Sequence, residues 1–275
     1  MEKEKIKLDH LSGVEKTLLL PLYSRALDFK SPRSILNDSK ASELVEKIDY
    51  DFAGIKKAMK GFAIIGHSVR ARYFDEQVRR YLEHFPSGVV VSLGSGLDTR
   101  FYRVDNGKVT FFDLDLPETI NIRRKLVDES PRNPFIGCSV LDYSWISKVA
   151  AITSKQDCPV LFIAEGLFMY IPLPDVQSLF QQLAVSFPKA EIIFEVYSSF
   201  MVKDTNKEKS LKKLQVEFKW SVKNSRDIES WHPNLQFISE WDFFDAPEIR
   251  TGILRILGLF SFYRKMTRIV HYKFT

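Results

Sequence analysis

The sequence contains few cysteines and few histidines. Its two cysteines, Cys138 and Cys158, are widely spaced, and each lies within a strand-like run. This spacing argues against a disulfide scaffold or a redox pair and predicts reduced core thiols, as in a cytoplasmic protein. The histidines show no metal-ligand spacing, so no metal site is expected. They are His10, His67, His84, His232 and His271.

The sequence also lacks a long hydrophobic run. The apolar segments at 17–22 and 253–262 are too short or too interrupted to supply the roughly 18 residues of a membrane-spanning helix. The N-terminal segment MEKEKIKLDH is charged and has no signal-peptide core. With 275 residues, 45% of them hydrophobic, the chain predicts one compact cytoplasmic domain with no membrane partner.

An excess of one charge is confined to one segment. The net charge is only +5, and basic residues concentrate between Lys203 and Arg226. Such a cluster can bind an anionic substrate or a nucleic acid, but it is more typical of a solvated helix face. We therefore do not expect a nucleic acid as a partner.

The most informative segment is VVVSLGSGLDTR at 89–100. An apolar run there ends in two glycines, which predicts a buried strand entering a tight turn. A second apolar run, 109–112, is followed by Asp-Leu-Asp at 113–115. A carboxylate in this position can accept hydrogen bonds from both hydroxyls of a ribose. Together the two segments predict a site for a nucleoside cofactor.

Two cofactor classes share this pattern. A dinucleotide site favours glycine where this chain has Thr99, and the acidic Asp98 would repel a phosphate. S-adenosylmethionine carries no phosphate, so the residues favour it over NAD. An unrelated α/β protein with the same strand, turn and helix is the third alternative.

Helical and strand patterns alternate along the chain, which predicts a parallel sheet with helices on both faces. Helices are predicted at 14–29 with a kink at Pro21, 39–47, 54–84, 117–128, 144–153, 173–187 and over most of 200–234. Strands are predicted at 88–93, 109–114, 135–140, 159–164, 190–196, 235–241 and 268–274. Ligands bind at the carboxyl ends of such strands. The carboxylates predicted there are Asp113, Asp115, Asp142 and Glu165.

Four motifs in order resemble the leucine carboxyl methyltransferase family, and within it the bacterial branch named after the tetracenomycin polyketide O-methyltransferase. They are VRARYFD at 69–75, LGSGLDTR at 93–100, FDLDLPE at 112–118 and AEGLFMYIP at 164–172. The resemblance covers about 15–200. It implies a class I methyltransferase of the α/β class, with a seven-stranded, mostly parallel sheet, an antiparallel last strand and a helical cap. On this basis 1–84 would form the cap, and 85–275 the core, with a helical insertion at about 200–234.

The resemblance further implies S-adenosylmethionine as cofactor, S-adenosylhomocysteine as its product, and methylation of oxygen on a small carboxylate or phenolic hydroxyl. It assigns the cofactor carboxylate to an arginine of VRARYFD. By position, the implied contacts are Arg70, with Arg72 second, for the carboxylate; Gly94, Ser95 and Gly96 for the methionine moiety; Asp115 for the ribose; Asp142 for adenine; and Glu165 for the ammonium.

Two other functions remain open at this point. A nucleic-acid methyltransferase would suit the basic segment, but the fourth strand ends in AEGLF rather than in the Asn/Asp-Pro-Pro-aromatic motif of base methylation. A non-catalytic S-adenosylmethionine-binding protein is disfavoured by the intact cofactor positions.

The acceptor decides whether a base is needed. A carboxylate acceptor is already ionised, whereas a phenol would need a base within hydrogen-bond reach. The candidates are His67, Tyr170 and Tyr197, and nothing in the sequence selects among them. Apolar residues of the insertion, Phe200, Met201 and Trp220, are expected to line the acceptor pocket.

Overall fold

The computed structural model describes residues 5–8, 17–58, 61–154, 158–208, 216–250 and 252–275. The helices are α1 Leu19–Phe29, α2 Ser39–Lys47, α3 Phe52–Ala58, α4 Gly61–His84, α5 Arg100–Val104, α6 Pro117–Leu126, α7 Ser144–Thr153, α8 Leu173–Ser186, α9 Ser199–Thr205, α10 Gly252–Leu257 and α11 Ser261–Arg264. The strands are β1 Ile6–Lys7, β2 Ile48–Asp49, β3 Val89–Leu93, β4 Thr110–Asp115, β5 Phe135–Gly137, β6 Val160–Ala164, β7 Glu191–Tyr197, β8 Leu235–Asp242 and β9 Thr267–Phe274. Short 3₁₀ turns lie at Phe168–Tyr170, Ser225–Trp231 and Phe243–Asp245.

A seven-stranded sheet in the order β5-β4-β3-β6-β7-β9-β8 forms the centre of the molecule. The first five strands in this order are parallel, and β9 runs antiparallel to both β7 and β8. Every residue of β3 and β6 is buried, as expected for central parallel strands covered on both faces. The predicted α/β class, with a mostly parallel sheet and an antiparallel last strand, is confirmed.

The apolar residues of β3 alternate between two cores. Val89, Val91 and Leu93 join the larger core with α7 and α8, whereas Val90 joins the core with α4 on the opposite face. This is the period of two that a strand imposes on its side chains. Because the sheet is covered on both sides, ligands have access only at its edges and strand ends.

Helices α1 and α2 form a third core beside the strand ends. The Asp38 side chain accepts a hydrogen bond from the Ala41 backbone amide at 2.9 Å and so caps the N-terminus of α2. Leu19, Leu22 and Leu44 pack with Leu97 of the loop after β3. The helices of the N-terminal part are thereby held against the glycine turn.

Several boundaries differ from the predictions. Helix α1 begins at Leu19, so Pro21 lies in the first turn, where helices tolerate a missing amide, rather than in the interior. The predicted helix at 54–84 is two helices, α3 and α4, and 59–60 lies outside the described residues, as does 14–16. The short elements β1, β2, α10 and α11 carry too few residues to show a period and were not predicted.

The segment 200–234 is helical only towards its ends, so the prediction of a mostly helical insertion is wrong for 216–224. There the backbone donates hydrogen bonds to other elements: Lys219 to the Met169 carbonyl at 2.8 Å and Val222 to the Tyr197 carbonyl at 2.8 Å. These long-range bonds replace the local bonds of a helix. Residues 209–215, with part of the basic cluster, lie outside the described residues.

Cys138 and Cys158 form no disulfide within the described residues; both are partly exposed, and Cys138 packs against the edge of the larger core. Across the described ranges, no helix combines the length and the hydropathy needed to cross a bilayer.

Candidate functional site

The glycine turn after β3 has the backbone shape that the sequence predicts. Gly94 and Gly96 have φ angles of +65° and +53°, in the region where side chains are strained. A β-carbon at Gly94 would lie 2.7 Å from Leu167 Cδ1. The Asp115 carboxylate accepts a hydrogen bond from the Gly96 amide at 2.7 Å, so the ends of β3 and β4 are joined at this turn.

A cavity of about 410 Å³ opens beside this turn. Part of its wall is polar and comes from the strand ends and α1 and α4. These residues are Arg25, His67, Arg70, Ser95, Asp98 and Glu165. Another part is largely apolar and comes from β7, α9 and the segments around them. These residues are Met169, Tyr170, Tyr197, Met201 and Phe218. The volume and the mixture of a few charges with apolar walls are typical of a small-molecule site.

Arg70 holds two carboxylates at the polar wall. Its Nε donates to Glu165 Oε1 at 2.8 Å, and its Nη1 donates to Glu195 Oε1 at 3.2 Å. Burial disfavours the charged guanidinium, but Glu195 and Glu165 more than offset this and raise the pKa of Arg70. Burial would likewise raise the pKa of Glu165, but Arg70 and Arg100 outweigh it and lower that pKa. Both groups are therefore charged in the site.

The pKa of Glu195 is shifted in the opposite direction from that of Glu165. Glu195 lies on β7, is 3% exposed, and accepts hydrogen bonds from the Gly166 amide at 2.5 Å and the Tyr197 hydroxyl at 3.0 Å. Burial raises its pKa, and Arg70 only partly opposes this. It is a buried carboxylate linked to the cavity through the hydroxyl of Tyr197.

A second layer of ion pairs lies behind the cavity. Asp75 is 1% exposed and accepts hydrogen bonds from Arg100 Nε at 2.7 Å and Arg103 Nε at 2.6 Å. Arg100 also pairs with Glu165. Asp75 thus positions Arg100, which in turn holds the Glu165 carboxylate that faces the cavity.

Helix α1 is tied to the glycine turn by a similar arrangement. Arg25 donates to Asp38 at 3.1 Å and to the Leu97 carbonyl at 3.0 Å. Asp38 also accepts from Thr99 Oγ1 at 2.5 Å. The position of α1 over the cavity therefore depends on buried charges.

The structure brings most of the predicted site residues to the cavity. Arg70, Gly94, Ser95, Gly96, Glu165 and all three base candidates line it. Arg72, in contrast, points elsewhere on α4: its guanidinium forms a bidentate pair with Glu248 at 2.6 and 2.9 Å. The structure therefore gives no support to Arg72 as a cofactor ligand, because Glu248 occupies both of its Nη groups.

Three predicted strand-end acids, Asp115, Asp142 and Asp113, are not part of the described cavity lining. Asp115 holds the Gly96 and Leu116 amides, so it lies at the glycine turn without forming part of the described wall. Asp142 is exposed and accepts from the Ser144 amide at the start of α7, at 3.1 Å. Asp113 is buried with Arg123 at 2.6 Å, a pairing internal to the core.

The three base candidates differ in their surroundings. The His67 Nδ1 lies 2.8 Å from Ser24 Oγ, and burial, together with Arg70, lowers the pKa of His67 to about 3. Burial raises the pKa of Tyr170 to about 12. Burial and Glu195 raise the pKa of Tyr197 well above its usual range. At neutral pH all three are uncharged.

Sequence reasoning missed Arg25, Arg100 and Glu195. Two of them carried a signal: Arg25 interrupts the apolar stripe of α1, and Glu195 interrupts the apolar run of β7. Charged residues inside buried elements need partners, and such partners are often at functional sites. Arg100 directly follows the glycine motif as part of LDTR and was not singled out.

The donors and acceptors in the cavity match the groups of S-adenosylmethionine. Arg70 suits a carboxylate, and Glu165 and Asp98 suit cationic groups. The Ser95 hydroxyl is buried and has no hydrogen-bond partner within the described ranges, so it is available to a ligand. Among those ranges, no cluster of three or more His, Cys, Asp or Glu side chains could hold a metal ion.

Solved structures share this architecture. A DUF574 family protein from Streptomyces avermitilis superposes with a TM-score of 0.57, at 10% identity, covering 92% of this chain and 97% of that one. Magnesium protoporphyrin IX methyltransferase from Synechocystis with bound S-adenosylhomocysteine superposes with a TM-score of 0.50, at 9% identity, covering 79% and 89%. The fold is that of the class I methyltransferases.

The family follows from sequence comparison. The leucine carboxyl methyltransferase model matches residues 19–184, and the chain belongs to that family. It is 34% identical over 238 residues to the tetracenomycin polyketide synthesis O-methyltransferase TcmP of Streptomyces glaucescens, covering 86% of each chain. It is 28% identical over 246 residues to the S-adenosyl-L-methionine-dependent methyltransferase dpfgK of Gibberella zeae, covering 82% and 81%. The predicted enzyme class, methyltransferase, and its cofactor, S-adenosylmethionine, are confirmed.

Proposed function

We propose that the chain transfers the methyl group of S-adenosylmethionine to an oxygen of a small organic acceptor, a carboxylate or a phenolic hydroxyl. The observation that carries this proposal is the two-part wall of the cavity: fixed charges beside the glycine turn, and aromatic and methionine side chains beside Tyr197. The first part suits the zwitterionic cofactor and the second suits an organic acceptor. In this proposal the helices within 1–84 form a cap over a core at 85–275.

On the cofactor side, Arg70 would hold the carboxylate and Glu165 the ammonium group, while Ser95 and the glycines would contact the methionine moiety. Asp115 would hold the ribose and Asp142 the adenine amino group. When bound, S-adenosylmethionine supplies an electrophilic methyl group on a sulfonium. The chain contributes alignment and exclusion of water, because in-line displacement needs a narrow range of geometries.

On the acceptor side, the chain has to position one oxygen and, for a phenol, remove one proton. Tyr197 lies on the cavity wall, and its hydroxyl donates a hydrogen bond to Glu195 Oε1 at 3.0 Å, so the hydroxyl oxygen can itself accept a hydrogen bond from the methyl acceptor. A carboxylate acceptor needs no such group.

The ribose assignment is tested by Asp115→Ala. Loss of a carboxylate that accepts hydroxyl hydrogen bonds should weaken binding of S-adenosylhomocysteine by about 2–4 kcal/mol. Calorimetric titration measures it, with Glu118→Ala, an exposed acid in the first turn of α6, as the control. Because Asp115 also holds the Gly96 amide, unfolding of the ligand-free variant is measured in parallel. Unchanged affinity in a folded variant would remove Asp115 from the site.

The acceptor class is tested with methyl-labelled cofactor and a panel of small acids and phenols. Carboxylate products are esters, which alkali cleaves, whereas phenolic products are ethers, which alkali leaves intact. Label in either class supports the proposal. Label found only in RNA or DNA would overturn it.

The pH dependence follows from the same site. For a carboxylate acceptor, the rate should rise with acceptor ionisation and then stay flat through neutrality. His67 does not titrate there, because its pKa is lowered to about 3 and it is neutral above roughly pH 5. A pH–rate profile with an inflection near 6.5 that His67→Gln abolishes would contradict this assignment.

A further inference from the structure

An exposed apolar patch lies beside the cavity. Its members are 48–80% exposed, although large apolar side chains are usually covered, and they are Phe200, Ile256, Leu259, Phe260 and Phe262. The Phe200 and Phe262 rings lie 5.3 Å apart, which joins α9 to the segment of α10 and α11. We refer to these five residues as the apolar patch.

The apolar patch and the cavity share α9. Met201 and Thr205 of this helix line the cavity, whereas Phe200 packs on Phe262 at the surface. The helix therefore separates the acceptor part of the cavity from the apolar patch. An apolar ligand bound at the apolar patch would be separated from the cavity by α9.

The segment that carries most of the apolar patch is basic, and the nearby acids Asp242 and Asp245 pair with its arginines. The segment 249–275 contains six Lys or Arg residues and no Asp or Glu. Arg264 pairs with Asp242 at 2.8 Å, which anchors the segment to the body of the protein. Arg255, Lys265 and Lys203 are exposed and form no ion pair within the described part of the chain. A negatively charged surface would complement them.

We propose that the apolar patch binds the surface of an anionic lipid bilayer. Aromatic and aliphatic side chains bordered by Lys and Arg are the features of segments that lie in the bilayer interface, and they need no spanning helix. A second copy of this chain fits less well, because a symmetric contact would bring Arg255 and Lys203 towards their own like charges. Leu259 is 80% exposed, so it projects outward and does not line a groove for a folded partner.

The test is sedimentation of the full chain with vesicles of phosphatidylcholine, with and without about a third phosphatidylglycerol. We expect binding to the anionic vesicles that falls as salt is raised. Leu259→Ser/Phe260→Ser should lower the partition coefficient at least about tenfold, because two apolar side chains no longer insert. Arg255→Glu should lower it roughly thirtyfold, since each charge near an anionic surface changes affinity about fivefold.

The matched control is Val185→Ser on α8, because Val185 is 78% exposed but lies outside the apolar patch. It should bind vesicles as the unchanged chain does. Thermal stabilisation by S-adenosylhomocysteine shows that each variant is folded. No binding to anionic vesicles would overturn the proposal. So would a dimer in analytical ultracentrifugation that the double variant dissociates, because the apolar patch would then be an interface between copies. Equal loss of vesicle binding in Val185→Ser would also overturn it.

Discussion

Replacing Asp75 with alanine is expected to lower the free energy of unfolding by about 3–5 kcal/mol, because two buried guanidinium groups lose a carboxylate that both of them bind and keep only Asp98 as a shared partner. Asp75 is 1% exposed and binds Arg100 and Arg103 at 2.6–3.0 Å. Removing one member of a buried pair costs more than the pair contributes, because the remaining charge stays desolvated. Urea unfolding at neutral pH measures the change.

Two further variants sharpen this test. Asp75→Asn keeps one acceptor oxygen and should lose less stability than the alanine variant. Glu46→Ala removes an exposed partner of Lys30 at 3.4 Å and should change stability far less. Equally small losses in the free energy of unfolding for Asp75→Ala and Glu46→Ala would contradict this prediction, because the buried arginines would then not depend on Asp75.

Replacing Arg70 with lysine is expected to weaken binding of S-adenosylhomocysteine by about 1.5–3 kcal/mol, roughly tenfold to a hundredfold. The guanidinium already binds Glu165 and Glu195 through Nε and Nη1, and it lines the cavity. An ammonium group keeps the charge but cannot reproduce this planar fork while also binding a carboxylate. Calorimetric titration measures the affinity.

Arg72→Lys is the matched control, two residues along the same helix. Its guanidinium is used by Glu248, outside the described cavity wall, so cofactor affinity should be nearly unchanged. Similar losses in both variants would mean that the VRARYFD motif acts through the stability of α4 and not through contact with the cofactor.

The sheet could be predicted because its signal is local. Each central strand is a short apolar run bounded by turn residues, and β3 and β6 are buried throughout. The irregular segment 216–224 could not be predicted, because it has no regular period of its own. The segment 216–224 bonds to the Met169 and Tyr197 carbonyls, and no pattern within the segment encodes those partners.

The candidate site divides in the same way. The sequence alone determined the glycine turn, the carboxylates at the strand ends and the family motifs, because backbone freedom and residue type at a fixed spacing are properties of a local segment. Only the tertiary structure shows which of the two arginines of VRARYFD lines the cavity. They are two residues apart, so they project from different sides of α4, and one reaches Glu165 whereas the other reaches Glu248. The tertiary structure also decided that Glu195 joins the site, because a buried carboxylate is stable only where distant elements supply its donors.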